Sequence, residues 1–340
     1  MRKLLNTLYV TLPNAYLRKD GMNVVISVEQ EDKFRIPIIN IESIVVFGYM
    51  GISPGLMNLC CENGVSVTFL TNHGKFISRL QGPTRGNVYL RKRQYEMSDT
   101  ESDSLNISKI LIAGKIQNYR NILKRHIRDY GENNEVEEAI NNLENRKRYA
   151  LKSTDFQNLL GHEGMASNIY FSIFPHLIRV QNPNFKFEGR TRRPPKDPVN
   201  AMLSFAYTLL TYEMAAALES VGLDPYVGFM HKLRPGRISL ALDLIEEFRG
   251  YLGDRFVLSL INRKQISEKD FMFQGENGVI MTDKGRKTFI TAWQTRKKDI
   301  ITHPYLNEKI EIGLLPYAQA MMLARYIRKD IDNYPVFIIS

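Results

Sequence analysis

The residues best suited to chemistry in this chain lie between Gly222 and Gly250, GLDPYVGFMHKLRPGRISLALDLIEEFRG, where one histidine and several acids sit in otherwise apolar sequence. An ionised carboxylate in apolar surroundings is costly unless it is paired or bound to a cation. Asp243 has leucine on both sides. If residues 238–250 form a helix, Asp243 and Glu246 are three apart and leave from one face, while Ile238, Ala241, Ile245 and Phe248 line another. His231 precedes them, after a short helix start at Asp224-Pro225 and before a Pro235-Gly236 turn, so the chain can fold back and bring the imidazole to that face. One imidazole and two carboxylates form a donor set for a divalent metal. The same stretch also reads as a packed, hydrogen-bonded histidine followed by the solvated end of an amphipathic helix, with Glu246 and Glu247 on water. A further acid, Glu163, stands in LLGHEGMASNIYFSIF. Near a helix start it would complement the dipole and satisfy free N–H groups, and His162 beside it points elsewhere.

The elements that must position these residues fall into two kinds. Residues 1–85 carry short β-branched and aromatic runs: Leu8 to Thr11, Val24 to Val28, Ser43 to Phe47, Val65 to Leu70 and Phe76 to Leu80. Asp20-Gly21 and Asn72-His73-Gly74 read as hairpin turns, and Ser53-Pro54 opens a helix reaching about Asn63, with Gly64 beyond its end. Residues 86–104 turn from basic to acidic and serine-rich, carry little to bury, and are expected as a linker. From Ile107 the period becomes helical, with apolar residues at 107, 110, 111, 122, 123 and 127 and Lys or Arg at 109, 115, 120, 124, 125 and 128. Asp197-Pro198 opens a nearly all-apolar helix that ends before Gly222. The expected fold class is α+β: a β-rich domain over 1–85, the linker, and a larger all-α domain over 105–340 that holds the metal.

The chain has 340 residues, enough for two domains, and 46 Lys plus Arg against 36 Asp plus Glu leave it at +10, with an isoelectric point near 9.4. That charge favours a polyanionic partner, nucleic acid first. Basic clusters recur at Arg85–Arg93, Lys186–Lys196 and Lys284–Lys298, each beside aromatic residues that can stack on unpaired bases. Any one of them can equally be a solvated face. Cys60 and Cys61 are adjacent and are the only cysteines, which excludes a disulfide framework, a redox pair and a zinc ribbon. MRKLLNTLYVTLP lacks the uninterrupted apolar core and cleavage site of a secretory signal, and no run approaches a bilayer span, so a cytoplasmic protein without a membrane partner is expected. There is no phosphate loop of the G-x-x-x-x-G-K-[ST] type.

Several long segments carry a resemblance: LLNTLYVTLPNAYL, FGYMGISPGLMNLCCENGVSVTFLT, GHEGMASNIYF, RRPPKDPVNAMLSFAYTLL, GLDPYVGFMHKLRPGRISLALDLIEEFR and DRFVLSLINRKQ. Together they resemble the CRISPR-associated integrase, the universal first Cas protein of spacer acquisition, in its subtype I-C form. The resemblance implies an N-terminal β-domain used for dimerisation and a C-terminal helical domain holding Mg²⁺ or Mn²⁺. It implies metal ligands at Glu163, His231 and Glu246, with Asp243 a further acid of the catalytic group that serves as orienter, general base or ligand to a second metal. The implied reaction is attack by the 3′-hydroxyl of a short prespacer duplex on a phosphodiester at a CRISPR repeat. The implied partners are double-stranded DNA with 3′-hydroxyl ends, repeat DNA, a second copy of the chain, and a dimer of the second Cas protein. Arg190, Arg192, Arg193, Arg234, Arg237 and Arg255 are candidate DNA contacts by their nearness to the ligands in sequence or motif. Two other functions use the same residues: a metal-dependent nuclease of branched DNA or RNA, which cuts without joining, and a non-catalytic nucleic-acid scaffold.

Overall fold

The structure, a computed structural model, describes residues 7–339 apart from 13, 42, 49, 72–75, 81, 83–87, 181 and 183–184. Eight strands and one helix occupy its first part: β1 (Thr7–Val10), β2 (Ala15–Asp20), β3 (Asn23–Val28), β4 (Glu31–Pro37), β5 (Ser43–Phe47), β6 (Gly51–Ile52), α1 (Pro54–Glu62), β7 (Ser66–Leu70) and β8 (Phe76–Leu80). They form two four-stranded sheets, ordered β1-β5-β7-β8 and β4-β3-β2-β6. The five expected runs are strands, whereas β2, β4 and β6 go beyond the expectation. Gly21, at φ +58°, turns β2 into β3, a backbone angle that glycine adopts without strain. The turn expected at 72–74 lies outside the described residues. Ser53 caps α1 by accepting from the Leu56 N–H, and Gly64 follows its end at φ +71°.

Strand β5 is buried throughout, and its period of two divides it between two cores. Ile44 and Val46 join Leu17, Val24, Leu56 and Val67 between the sheets and α1, while Val45 and Phe47 face the helices. The Phe47 ring lies 5.8 Å from that of Phe205. One sheet is thus the floor on which the helical part is built.

The helices are α2 (Val88–Asp99), α3 (Glu101–Tyr130), α4 (Asn134–Lys152), α5 (Phe156–Leu177), α6 (Pro198–Ser220), α7 (Ser239–Leu244), α8 (Glu246–Phe248), α9 (Arg255–Asn262), α10 (Asp283–Lys297) and α11 (Leu315–Ile327). Residues 88–104, expected as linker with little to bury, are nearly all helical, and Leu90 and Met97 enter the main core. Small hairpins β9/β10 (Phe271–Phe273, Val279–Met281) and β11/β12 (Ile300–Thr302, Lys309–Glu311) interrupt the later helices, so this part is predominantly helical and not all-α as expected. Asp197 caps α6 and Pro198 begins it, as the sequence indicates. Helix α6 is long and apolar enough to cross a membrane, which corrects the expectation that no run comes near, but it is mostly buried as the central helix of the core.

The stretch 239–262 is one distorted helix. Its α-helical pieces α7, α8 and α9 are joined at Ile245 and by a π-helical turn over Arg249–Asp254, all with right-handed backbone angles. The wider π turn lets Gly253 lie so close to Tyr207 that an added Cβ would sit 2.7 Å from its ring. The helix expected at 238–250 therefore starts one residue later and runs twelve residues further. No helix forms at Asp224-Pro225; the carbonyl of Pro225 instead accepts from the Leu240 N–H (2.9 Å). Gly236, at φ +72°, makes the turn that brings residues 228–231 back onto α7.

Candidate metal centre

Three helices distant in sequence meet at one buried cation. Helix α3 supplies Lys115, which lies in phase with Leu111, Tyr119 and Ile122 on the buried stripe and is 3 % exposed. Helix α5 supplies Glu163, whose Oε1 accepts from the Lys115 ammonium and, at 2.9 Å, from Ser167. Helix α8 supplies Glu246, whose Oε2 lies 2.8 Å from the same ammonium and whose Oε1 lies 2.9 Å from the Arg249 guanidinium. Glu163 sits well inside α5, and Asp155 takes the cap by accepting from the Asn158 N–H, so helix capping does not account for Glu163. Nor does Glu246 stand on water: it is 4 % exposed, and Glu247 is fully buried.

Burial alone would push both carboxyls upward. Against that, Lys115 holds Glu163 below the usual range, and Arg249 with Lys115 brings Glu246 down to about 2. Both are ionised at neutral pH, so two carboxylates face two cations and the centre is formally neutral.

Asp243 has a different task. Its Oδ2 accepts from the N–H groups of Phe229 (2.7 Å) and Met230 (3.0 Å), and its Oδ1 from the N–H of His231 (3.0 Å). His231 Nδ1 lies 2.6 Å from the same Oδ1. A carboxylate at Nδ1 fixes the tautomer with the proton there and leaves Nε2 as the free donor atom, the arrangement that orients metal-binding histidines. All four acceptor positions of Asp243 are thereby occupied. Gly228 makes the close approach possible, since a Cβ there would lie 2.7 Å from Asp243 Oδ2 and 2.8 Å from the Ser239 backbone.

The donor set suits a hard divalent cation. Two ionised carboxylates already converge on one positive charge, and the buried Glu246 Oε2 has the Lys115 ammonium, at 2.8 Å, as its partner. The imidazole oriented by Asp243 lies close enough to Glu246 to act on it electrostatically. Among the described residues, however, no three His, Cys, Asp or Glu side chains are gathered closely enough to hold a metal as they stand. The structure brings Glu163 and Glu246 together and His231 onto Asp243; it does not close the two pairs into one ligand cage.

The expected DNA contacts separate into kinds. Arg192, Arg193 and Arg234 are exposed, and Arg237 is half-buried. Arg190 is committed inside the protein: it donates to Asn200 Oδ1 (2.6 Å) and Ser204 Oγ (3.0 Å), and stacks over Tyr207. Arg255 stacks on Tyr251 and lines an open cleft of about 810 Å³ with Arg263, Lys287 and Arg296. Burial and the nearby Arg125 charge push its guanidinium down to about 10. Glu246 pairs with Lys115 and Arg249, and not with Arg255 or Arg237. The aromatic residues beside two of the basic clusters, Phe185, Phe187, Phe289 and Trp293, are buried and offer no face to a base. Lys115 and Arg249 escaped the sequence reading; the signal for Lys115 was a lysine in phase with the apolar stripe of α3.

Residues 8–295 match the profile of a family described as CRISPR associated protein Cas1. A "CRISPR-associated endonuclease Cas1 1" of Chlorobaculum tepidum is 50 % identical over 341 residues, covering 99 % of each chain. Two solved structures share the fold at 23 % identity and a TM-score of 0.82. One is a Cas1 protein from Thermotoga maritima, with 98 % of this chain and 100 % of that one covered. The other is a casposase bound to its integration product, with 98 % and 94 % covered.

Proposed function

The chain belongs to the CRISPR-associated protein Cas1 family, and we propose that it is the metal-dependent DNA integrase of a subtype I-C system. The observation that carries this reading is the convergence of Glu163 and Glu246, from helices far apart in sequence, on one buried positive charge beside a histidine aligned by Asp243. Burying two carboxylates is costly, and a fold that gains only stability has no need to place both at one point.

Glu163, His231 through Nε2, and Glu246 would hold Mg²⁺ or Mn²⁺. The bound cation would supply electrophilic stabilisation of a phosphodiester and activation of an attacking oxygen. Asp243 fixes the imidazole and the turn that carries it; with its lone pairs occupied, it acts as a positioning residue and not as base or second-metal ligand. In the reaction, the 3′-hydroxyl oxygen of a prespacer duplex bonds to the phosphorus at a repeat boundary while the existing 3′ oxygen–phosphorus bond breaks. The proton leaves the first hydroxyl and the second gains one. One ester replaces another, so no external energy source is needed. Arg192, Arg193, Arg234 and Arg237, with the cleft around Arg255, would hold DNA phosphates. A homodimer joined to a dimer of the second Cas protein would set the spacing of two such centres.

The test incubates purified protein, with and without the second Cas protein, with a labelled 3′-hydroxyl duplex and a plasmid carrying the repeat array. Label is expected to join the plasmid in Mn²⁺, and not in EDTA or with Glu246→Ala. Binding without joining or cutting in any condition would overturn the reading.

A further inference from the structure

Lys115 stands where a divalent cation would be drawn. Its ammonium forms an ion pair with both Glu163 and Glu246, and its side chain is 3 % exposed. We propose that Lys115 is the built-in counter-ion of the centre: it holds the two carboxylates together in the metal-free protein, and metal uptake displaces it. This rests on the reading of Glu163 and Glu246 as metal ligands.

The case begins with charge. Two carboxylates left facing each other, Glu246 buried and the Glu163 side chain 25 % exposed, repel, and a single fixed cation between them removes that repulsion. The fold can therefore assemble before any metal is bound. The same cation opposes an incoming dication, because the centre with Lys115 and Arg249 in place is formally neutral and offers it little net attraction.

Of the two cations, Lys115 is the one able to move. Arg249 stacks on Tyr207 at 4.9 Å, sits in the π turn, and among the described residues forms its ion pair with Glu246 and not with Glu163. Lys115 sits on a flexible stem that bridges both acids. Its ammonium already lies over the Tyr119 ring, one helical turn further along α3 and 5.7 Å away, a cation–π contact that can keep it once the carboxylates turn to a metal. Lys115 therefore sets the threshold of metal occupancy, and the affinity of the centre is lower than its ligands alone would give.

The experiment measures Mn²⁺ binding to the full chain by calorimetry and by the loss of free-ion EPR signal, together with melting in EDTA and in Mn²⁺, for wild type, Lys115→Met and Glu246→Gln. Lys115→Met is expected to melt lower than wild type in EDTA, to recover in Mn²⁺, and to bind Mn²⁺ at least ~10-fold more tightly. Equal or weaker Mn²⁺ binding by Lys115→Met overturns the proposal, provided wild type binds and Glu246→Gln does not. If wild type and Glu246→Gln respond to Mn²⁺ alike, the metal-centre reading itself fails.

Should Lys115→Met not fold, the ammonium of wild type is followed directly in ¹⁵N-lysine-labelled protein, with Lys297→Arg separating its signal from that of Lys297, which is also buried. Stoichiometric Mg²⁺ is expected to shift the Lys115 resonance. An unchanged resonance at saturating Mg²⁺ overturns the displacement.

Discussion

At the scale of single residues, the centre divides its labour between acids that face a cation and an acid that faces the backbone. Asp243→Asn tests that division. An amide at this place supplies two acceptor sites where four are used, so His231 loses its enforced tautomer. Mn²⁺ affinity should then fall roughly 10- to 100-fold, read by calorimetry; unchanged affinity would reduce Asp243 to a fastener of the 228–231 turn. Acid provides a second test. Glu246 titrates in the folded chain at about 2, below an ordinary glutamate near 4.5, so it adds stability above about pH 4.5 that is lost as pH falls toward 2. Glu163 shifts in the same direction. Melting followed from pH 6 down to pH 2.5 should accordingly fall less steeply for Glu246→Gln than for wild type, and parallel curves would remove this account. Glu163 read as a helix-start acid and became a ligand candidate only through the family resemblance, whereas His231, Asp243 and Glu246 were legible as polar residues in apolar sequence. Their partners were not: a lysine among many lysines of a basic chain carries no such mark, and Arg249 drew less notice than its neighbours in IEEFRG.

At the scale of elements, turns and caps were readable where the chemistry is local. Ser53, Gly64, Asp197 and Pro198 act within one turn of themselves, and their signals held. Strand β4, EDKFRIP, has six of its seven residues exposed, so no apolar alternation announced it. Residues 88–104 look like a linker by composition, yet a helix needs only one apolar stripe, and Leu90 and Met97 supply it. The π turn at 249–254 was invisible because the contacts that go with it, Gly250 against Ile122 of α3 and Gly253 against Tyr207 of α6, are made to residues far away in sequence. The turn at Gly228 lends itself to a direct check. A methyl group there would meet Asp243 Oδ2 and the rigid backbone of Ser239 and Leu240, so Gly228→Ala should cost about 1–3 kcal/mol in urea unfolding. It should also weaken Mn²⁺ binding, because the loop carrying His231 is pushed from α7. Gly236→Ala, with nothing near its Cβ, is the control: it bears only the strain of φ +72° and should leave metal binding unchanged.

At the scale of the whole molecule, contacts far apart in sequence tie the parts together, and composition cannot foretell them. Tyr9 of β1 donates to Glu213 of α6 (2.5 Å), which also receives Trp293 and Lys297 of α10; Arg79 of β8 pairs with Glu219. Residues 334–339 return to the centre. Asn118 donates to the carbonyls of Glu247 and Phe337 (both 2.8 Å) and accepts from the Ile339 N–H (2.9 Å). Glu247 accepts from Tyr334, Gln319 and the Phe337 N–H. Removing Asn118 would leave buried groups unpaired at about 1–3 kcal/mol each. Asn118→Ala should therefore lower the urea midpoint and speed amide exchange over 334–339; exchange confined to wild-type rates would show the tail is held by packing alone. The tail fastens Asn118, three residues from Lys115, to Glu247, next to Glu246, so the helix that carries the cation and a helix that carries one of its acids are joined by the segment synthesised after both. At ordinary elongation rates it leaves the ribosome roughly 5–20 s after Glu247. A growing chain thus carries Glu163, His231 and Glu246 before it carries the strap that ties α3 to Glu247, and on nascent chains stalled at residue 330 helix α3 should remain open to protease. The order of synthesis itself delays the setting of this centre.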